Sequence, residues 1–87
     1  MTSVYILQSE KNGRYYVGCT NHLKRRFYEH NKGGVRSTKP YRPWTLRLSQ
    51  EYINLSKARK IEKRIKELNR RDYIERIVAD GVIKMEL

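Results

Sequence analysis

Tyr5, Tyr16, Arg26, His30 and Glu62 are the residues of this chain whose types and spacing could do chemistry. Side chains alternate between the two faces of a strand. If Val4, Ile6, Tyr15 and Val17 supply the core of one hairpin, Tyr5 and Tyr16 share its other face, with their hydroxyls near a common spot. Arg26 and His30 are four apart on a basic helix and share a face, beside the Leu23–Phe27 stripe, so both can emerge at the sheet's edge. Arg26 can hold phosphate oxygens with a planar fork, which lysine cannot do. Glu62 stands in KARKIEKRIK, where nearly every polar neighbour is positive. A carboxylate there can bind Mg²⁺ with waters and substrate phosphate completing the shell. Each residue also has a plainer account. Tyrosine is favoured in strands and in cross-strand pairs, Arg26 is one more basic surface residue, and His30 a partly exposed one near a helix end. Glu62 can simply pair with Lys66, worth about 0.3–0.5 kcal/mol. Cys19 precedes a helix N-terminus, where a thiol pKa can fall, but no carboxylate or second cysteine is suitably placed in sequence.

The elements that must position these groups are legible along the chain. SVYILQS, residues 3–9, alternates and is rich in β-formers, so it reads as a strand. Asn12-Gly13 predicts a tight type I′ turn, and RYYVG returns as the second strand, ending near Gly18. Thr20 or Asn21 can cap a helix over HLKRRFYEHNK, which Gly33-Gly34 can end. Residues 33–43 read as a loop punctuated by glycines and prolines. WTLRLSQEY alternates Trp44, Leu46 and Leu48 against polar neighbours, predicting a third strand. Ser56 is a good N-cap for the next helix, whose Ala58, Ile61, Ile65 and Leu68 make one apolar stripe. A last helix runs near 71–79, with Ile74, Ile77 and Val78 inward, before Asp80-Gly81 breaks it. The fold class is α+β: a three-stranded antiparallel sheet flanked by helices.

Size and charge bound the rest. The 87 residues suit one domain over 1–87. The longest apolar run is too short to cross a bilayer, and the N-terminus shows no signal-peptide pattern. A single cysteine cannot form an internal disulfide, which points to a reducing cytoplasmic setting. Twenty Lys plus Arg against 9 Asp plus Glu leave a net charge of +11. That is more self-repulsion than solubility requires, and it favours phosphate backbones. A membrane surface fits less well, since the basic helices lack a broad insertion face.

Val4-Tyr5-Ile6, a spacer over residues 7–15, and then Tyr16-Val17-Gly18 resemble the paired motif that names the GIY-YIG nucleases. Arg26, eight positions after Gly18, is similar to the family's helix arginine, with His30 one turn further on. Glu62, within Ala58-Arg-Lys-Ile-Glu62-Lys-Arg-Ile65-Lys66, resembles its metal-binding glutamate. The loop ending Tyr41-Arg42-Pro43-Trp44 resembles that of small stand-alone bacterial members. The likeness covers residues 3 to about 80. Two features depart from it: Cys19 stands where larger members often have lysine, and Asn69 is a poor positional match for a late asparagine.

The resemblance implies the GIY-YIG fold and a metal-dependent endonuclease acting on DNA, single-stranded or branched, in repair or processing. Glu62 would hold Mg²⁺ or Mn²⁺, Arg26 would stabilise charge on phosphorus, and Tyr5 or Tyr16 would deprotonate the attacking water with His30 assisting. A free phenol has a pKa of about 10, so the metal and Arg26 must favour its anion. Lys24, Arg25, Arg36, Lys39, Arg42 and Arg47 could track the backbone, while Tyr41 could stack on an exposed base. Two non-catalytic alternatives share the charge: a basic nucleic-acid-binding domain that kept the fold, and a small protein of a ribonucleoprotein assembly that binds structured RNA.

Overall fold

The computed structural model describes residues 1–85; the last two residues of the expected 1–87 domain lie outside the described residues. The element order is β1 (Thr2–Ser9), β2 (Tyr15–Thr20), α1 (Leu23–Lys32), a 3₁₀ turn (Lys39–Tyr41), β3 (Trp44–Tyr52), α2 (Leu55–Leu68) and α3 (Arg71–Asp80). The three strands form an antiparallel sheet in the order β2-β1-β3, so β2 is an edge strand. This is the α+β architecture expected from the sequence.

Both faces of the sheet are covered. Val4, Ile6, Val17 and Leu48 pack against Ala58, Ile61 and Ile65 of α2, with Ile77 and Ile83 closing the layer. On the opposite face Tyr5, Leu7 and Trp44 pack with Tyr16, Leu23, Phe27, Tyr41 and Leu46. The central strand is therefore buried on both sides, and Thr2–Leu7 carry no inside–outside alternation in burial. Leu68, expected in the α2 stripe, stays only half-buried. A bulge between Ile6 and Leu7 pairs them with Leu48 and Leu46, leaving Arg47 unmatched on β3.

Three local expectations are corrected. The first hairpin has no two-residue turn: five residues separate Ser9 from Tyr15, and Gly13 (φ 77°) has positive φ whereas Asn12 does not. A type I′ turn needs positive φ at both centres. Side chains organise the wider loop instead, Ser9 Oγ accepting from the Lys11 and Asn12 amides (3.1 and 3.2 Å) and Asn12 Oδ1 from the Arg14 amide (3.0 Å). The cap residue of α1 is His22, with no side-chain cap bond. Thr20 accepts from the His22 amide and Asn21 from the Thr2 hydroxyl, so both serve the strand-to-helix turn. α2 is capped by Asn54, which accepts from the Lys57 amide at 2.9 Å; Ser56 lies inside the first turn.

Candidate active site

Tyr5 and Tyr16 do share a face of the hairpin, and α1 covers it. Tyr5 is 1% exposed, and its hydroxyl lies 2.9 Å from His30 Nε2. Tyr16, half-buried, sets its ring 4.9 Å from the His30 ring and 6.3 Å from Tyr5. Gly18 pairs with Tyr5 across the ladder, and a Cβ there would stand 2.6 Å from the Tyr5 hydroxyl. The motif glycine is thus the space into which the phenol projects. Burial pushes the Tyr5 phenol up to about 12, reinforced by Tyr16, while Arg26 opposes the rise.

His30 does not emerge at the sheet's edge as expected: it is wholly buried. Its Nδ1 lies 2.8 Å from the Thr38 hydroxyl, which reaches the Val35 carbonyl at 3.3 Å. Burial, with the Arg26 charge, lowers its pKa to about 4, so the ring is neutral at ordinary pH. A neutral ring has one N–H, so its two contacts run in sequence. Either Tyr5 donates to Nε2 and Nδ1–H donates to Thr38, or Thr38 donates to Nδ1 and Nε2–H donates to Tyr5. Only the first order leaves the Thr38 proton free for the Val35 carbonyl and gives the Tyr5 proton an acceptor. Thr38, missed in the sequence, is held by its own carbonyl, which accepts from Trp44 Nε1 at 3.0 Å. Asn31 in turn grips the Trp44 backbone through both amide atoms.

Arg26 is partly exposed beside the Tyr5 hydroxyl, with Glu29 3.3 Å away. Burial alone would lower its pKa, but contacts with Tyr5 and Glu29 raise it. Glu62 approaches from the other face of the sheet, over β2. Its Oε1 accepts from the Cys19 thiol at 3.3 Å, and its Oε2 from Lys66 Nζ at 2.9 Å. Lys66 also lies 5.5 Å from the centroid of the Tyr16 ring, so one ammonium links the carboxylate to the phenol side. Cys19 contradicts the sequence reading on two counts: a carboxylate does stand beside it, and burial plus that carboxylate push the thiol up to about 11. Its helix-side position lowers nothing, because desolvation outweighs any helix-end effect.

Glu62 is the carboxylate available for a metal. Among the described residues no group of three or more His, Cys, Asp and Glu comes together. A single carboxylate fits a hard cation that keeps most of its waters and takes further oxygens from a substrate phosphate. The neutral thiol offers no competing soft ligand.

The remaining expected residues are less unified. Lys24, Arg25, Arg36 and Lys39 are exposed. Arg47 is exposed on β3, the opposite edge strand from β2. Arg42 is half-buried, its Nε donating to the Lys39 carbonyl at 3.0 Å and its guanidinium packed on Gly33. Tyr41 is half-buried against Trp44, and the Arg14 guanidinium lies 4.6 Å over its ring, on a surface the sequence reading offered to a base.

The family model described as the GIY-YIG catalytic domain matches residues 1–75. The chain belongs to the GIY-YIG family. This GIY-YIG chain is 39% identical to UPF0213 protein VNG_2274C of Halobacterium salinarum over 71 residues, covering 80% of this chain and 91% of that protein. It is 33% identical to UPF0213 protein YhbQ of Escherichia coli over 85 residues, covering 97% and 83% respectively. The solution NMR structure of UPF0213 protein BH0048 from Bacillus halodurans superposes with a TM-score of 0.58 at 29% identity, covering 93% of this chain and 87% of that one. The GIY-YIG domain places the chain in a nuclease superfamily whose members generally use divalent metals. No helix among the described residues is long and apolar enough to cross a membrane.

Proposed function

We propose that this chain is a metal-dependent endonuclease that hydrolyses phosphodiester bonds of single-stranded or branched DNA, in DNA repair or processing. The convergence of two phenols, a guanidinium, a buried imidazole and a carboxylate around β2 carries the reading. Glu62 would hold Mg²⁺ or Mn²⁺, which would supply Lewis-acid stabilisation of charge on the phosphate oxygens. Arg26 neutralises charge developing on the phosphate. Water is deprotonated beside the two phenols. Tyr5 carries the relay, because its hydroxyl is hydrogen-bonded to His30 and lies within the influence of the Arg26 charge. Tyr5 donates to the unprotonated Nε2 of His30, whose Nδ1–H donates to Thr38. As the phenol takes a proton from the water it passes its own to Nε2, with Arg26 stabilising the transient phenolate, which is never a populated ground state. Tyr16, less buried and beside Lys66, orients the water or phosphate. The cytoplasm belongs to the same reading, supported by the free Cys19 thiol.

Incubation of the protein with labelled single-stranded, duplex and branched DNA, and with RNA, in Mg²⁺ or EDTA tests this. Metal-dependent cleavage is expected, reduced at least about 10²-fold in Arg26→Ala and Glu62→Ala. Equal products from those variants would mark a contaminant. Tight binding with no cleavage of any substrate would move the assignment to a non-catalytic nucleic-acid-binding domain.

A further inference from the structure

The cations of this protein are not shared evenly among its helices. α3 sets Arg71 and Arg76 against Asp72, Glu75 and Asp80. α2 carries Lys57, Arg59, Lys60, Lys63, Arg64 and Lys66 against Glu62 and Glu67 alone. All six cations are exposed, and among the described residues only Lys66 meets a carboxylate. A solvated helix face lowers its own repulsion by pairing along i,i+4, as α3 does with Arg71 and Glu75. α2 does so once, between Glu62 and Lys66, and its other five cations meet no carboxylate among the described residues; the sequence reading named none of them for substrate.

The fold gives this charge a direction. α2 lies along the edge strand β2 in the opposite sense: Glu62 meets Cys19, Lys66 meets Tyr16, and Arg71, just beyond the helix, lies 5.1 Å over Tyr15. Arg59, Lys63 and Lys66 recur at helical spacing and share one side of α2, and Arg70 follows in the extended link to α3. At the far end is a cleft of about 390 Å³ between the β1–β2 loop and the α2–α3 junction, lined by Arg14, Arg70 and Arg71 with Asn12 and Asn69. Two of its guanidinium groups are oriented in advance, Arg71 by the Gly13 carbonyl at 3.0 Å and Arg70 by Asp72 at 2.7 Å. Arg14 has no acidic partner among the described residues.

We infer that the phosphodiester backbone on one side of the scissile bond runs along α2, over Arg59, Lys63 and Lys66, and docks a phosphate in the cleft formed by Arg14, Arg70 and Arg71. From Arg59 to Leu68, where α2 ends, the helix rises about 14 Å, the axial rise of about four base steps. Cations spread over that length fit a polymer of phosphates; a small anion would occupy the cleft alone. Glu62 sits within the line, which brings the passing strand to the catalytic groups. The inference rests on the nucleic-acid part of the proposed function and is independent of cleavage.

Binding of a labelled DNA oligonucleotide to the full chain in EDTA, followed by fluorescence anisotropy across a salt series, tests it. The track pair Arg59→Gln/Lys63→Gln and the cleft pair Arg14→Gln/Arg71→Gln are compared with Arg76→Gln/Lys84→Gln, which removes the same charge from the α3 segment. Each of the first two pairs is expected to flatten the slope of log K against log salt by about 1.4–1.8, with about tenfold weaker binding at low salt. The third pair should keep the wild-type slope, and inorganic phosphate at matched ionic strength should not displace the DNA. Equal effects from all three pairs, or wild-type slopes in the first two, would overturn the track; circular dichroism shows that each variant is folded. Cleavage by the wild type alongside unchanged slopes would sink the track alone. Salt slopes that respond as expected in a protein that never cleaves would sink the nuclease reading and leave the track standing.

Discussion

His30 is shut off from solvent, and its folded-state pKa of about 4 lies below the ordinary 6.5. Between those values the unfolded chain takes up a proton that the native ring refuses. Stability therefore rises with pH through that window and is lost as pH falls from about 6.5 toward 4, by on the order of 3 kcal/mol. Urea unfolding midpoints at about pH 7 and pH 5 should show this drop, and His30→Gln should flatten it. A His30 imidazole titrating near 6.5 by NMR would contradict the burial. Gly18 offers a second test on the same hydroxyl. An added Cβ meets Tyr5 Oη at 2.6 Å and Cζ at 2.7 Å, and Tyr5 is buried and tied to His30, so the ring has nowhere to retreat. Gly18→Ala should cost about 1–3 kcal/mol in denaturant unfolding and displace the Tyr5–His30 bond. A variant with an unchanged midpoint would show that the ring moves freely.

Elements make their own predictions, at their ends more than in their middles. Asn54 and Ser56 are both good capping types two residues apart, and the sequence favoured the wrong one. The choice falls to where β3 releases the chain: Leu55 is already helical, so the residue before it receives the Lys57 amide. Asn54→Ala should therefore cost about 1 kcal/mol, whereas Ser56→Ala should stay within about 0.5 kcal/mol. Chemical denaturation of the two variants separates them, and the reverse order would put the helix start elsewhere. The first hairpin follows similar logic. Asn12-Gly13 marks a turn correctly, but Ser9 and Asn12 side chains supply bonds that let five residues fill the gap. Turn propensity is local; loop length answers to side-chain partners at the end of β1 and within the loop itself.

For the whole molecule, a net charge of +11 is a destabilising load, since exposed cations on α2 repel one another. Raising ionic strength to about 0.2 M shortens the screening length to below about 10 Å, so the thermal midpoint should climb from its low-salt value. A DNA ligand should raise it further, by mass action on the native state. A midpoint that is flat in salt would show that the positive face is already neutralised within the fold. Such flatness would also weaken the case for a polyanionic partner.

Spacing alone determined the three strands, three helices and antiparallel class, because hydrophobic periods and breakers act over a few residues and survive without a tertiary context. It also determined that Tyr5 and Tyr16 share a face, which follows from strand alternation once the hairpin is granted. Only the tertiary structure decided that Glu62 reaches the phenol side through Lys66, that Cys19 bonds that carboxylate, and that His30 is buried between two hydroxyls. Those outcomes join residues far apart in the chain, and burial sets their ionisation. Neither separation in space nor removal from water is written in local spacing; both arise when α2 lies along the edge strand and α1 closes over the other face of the sheet.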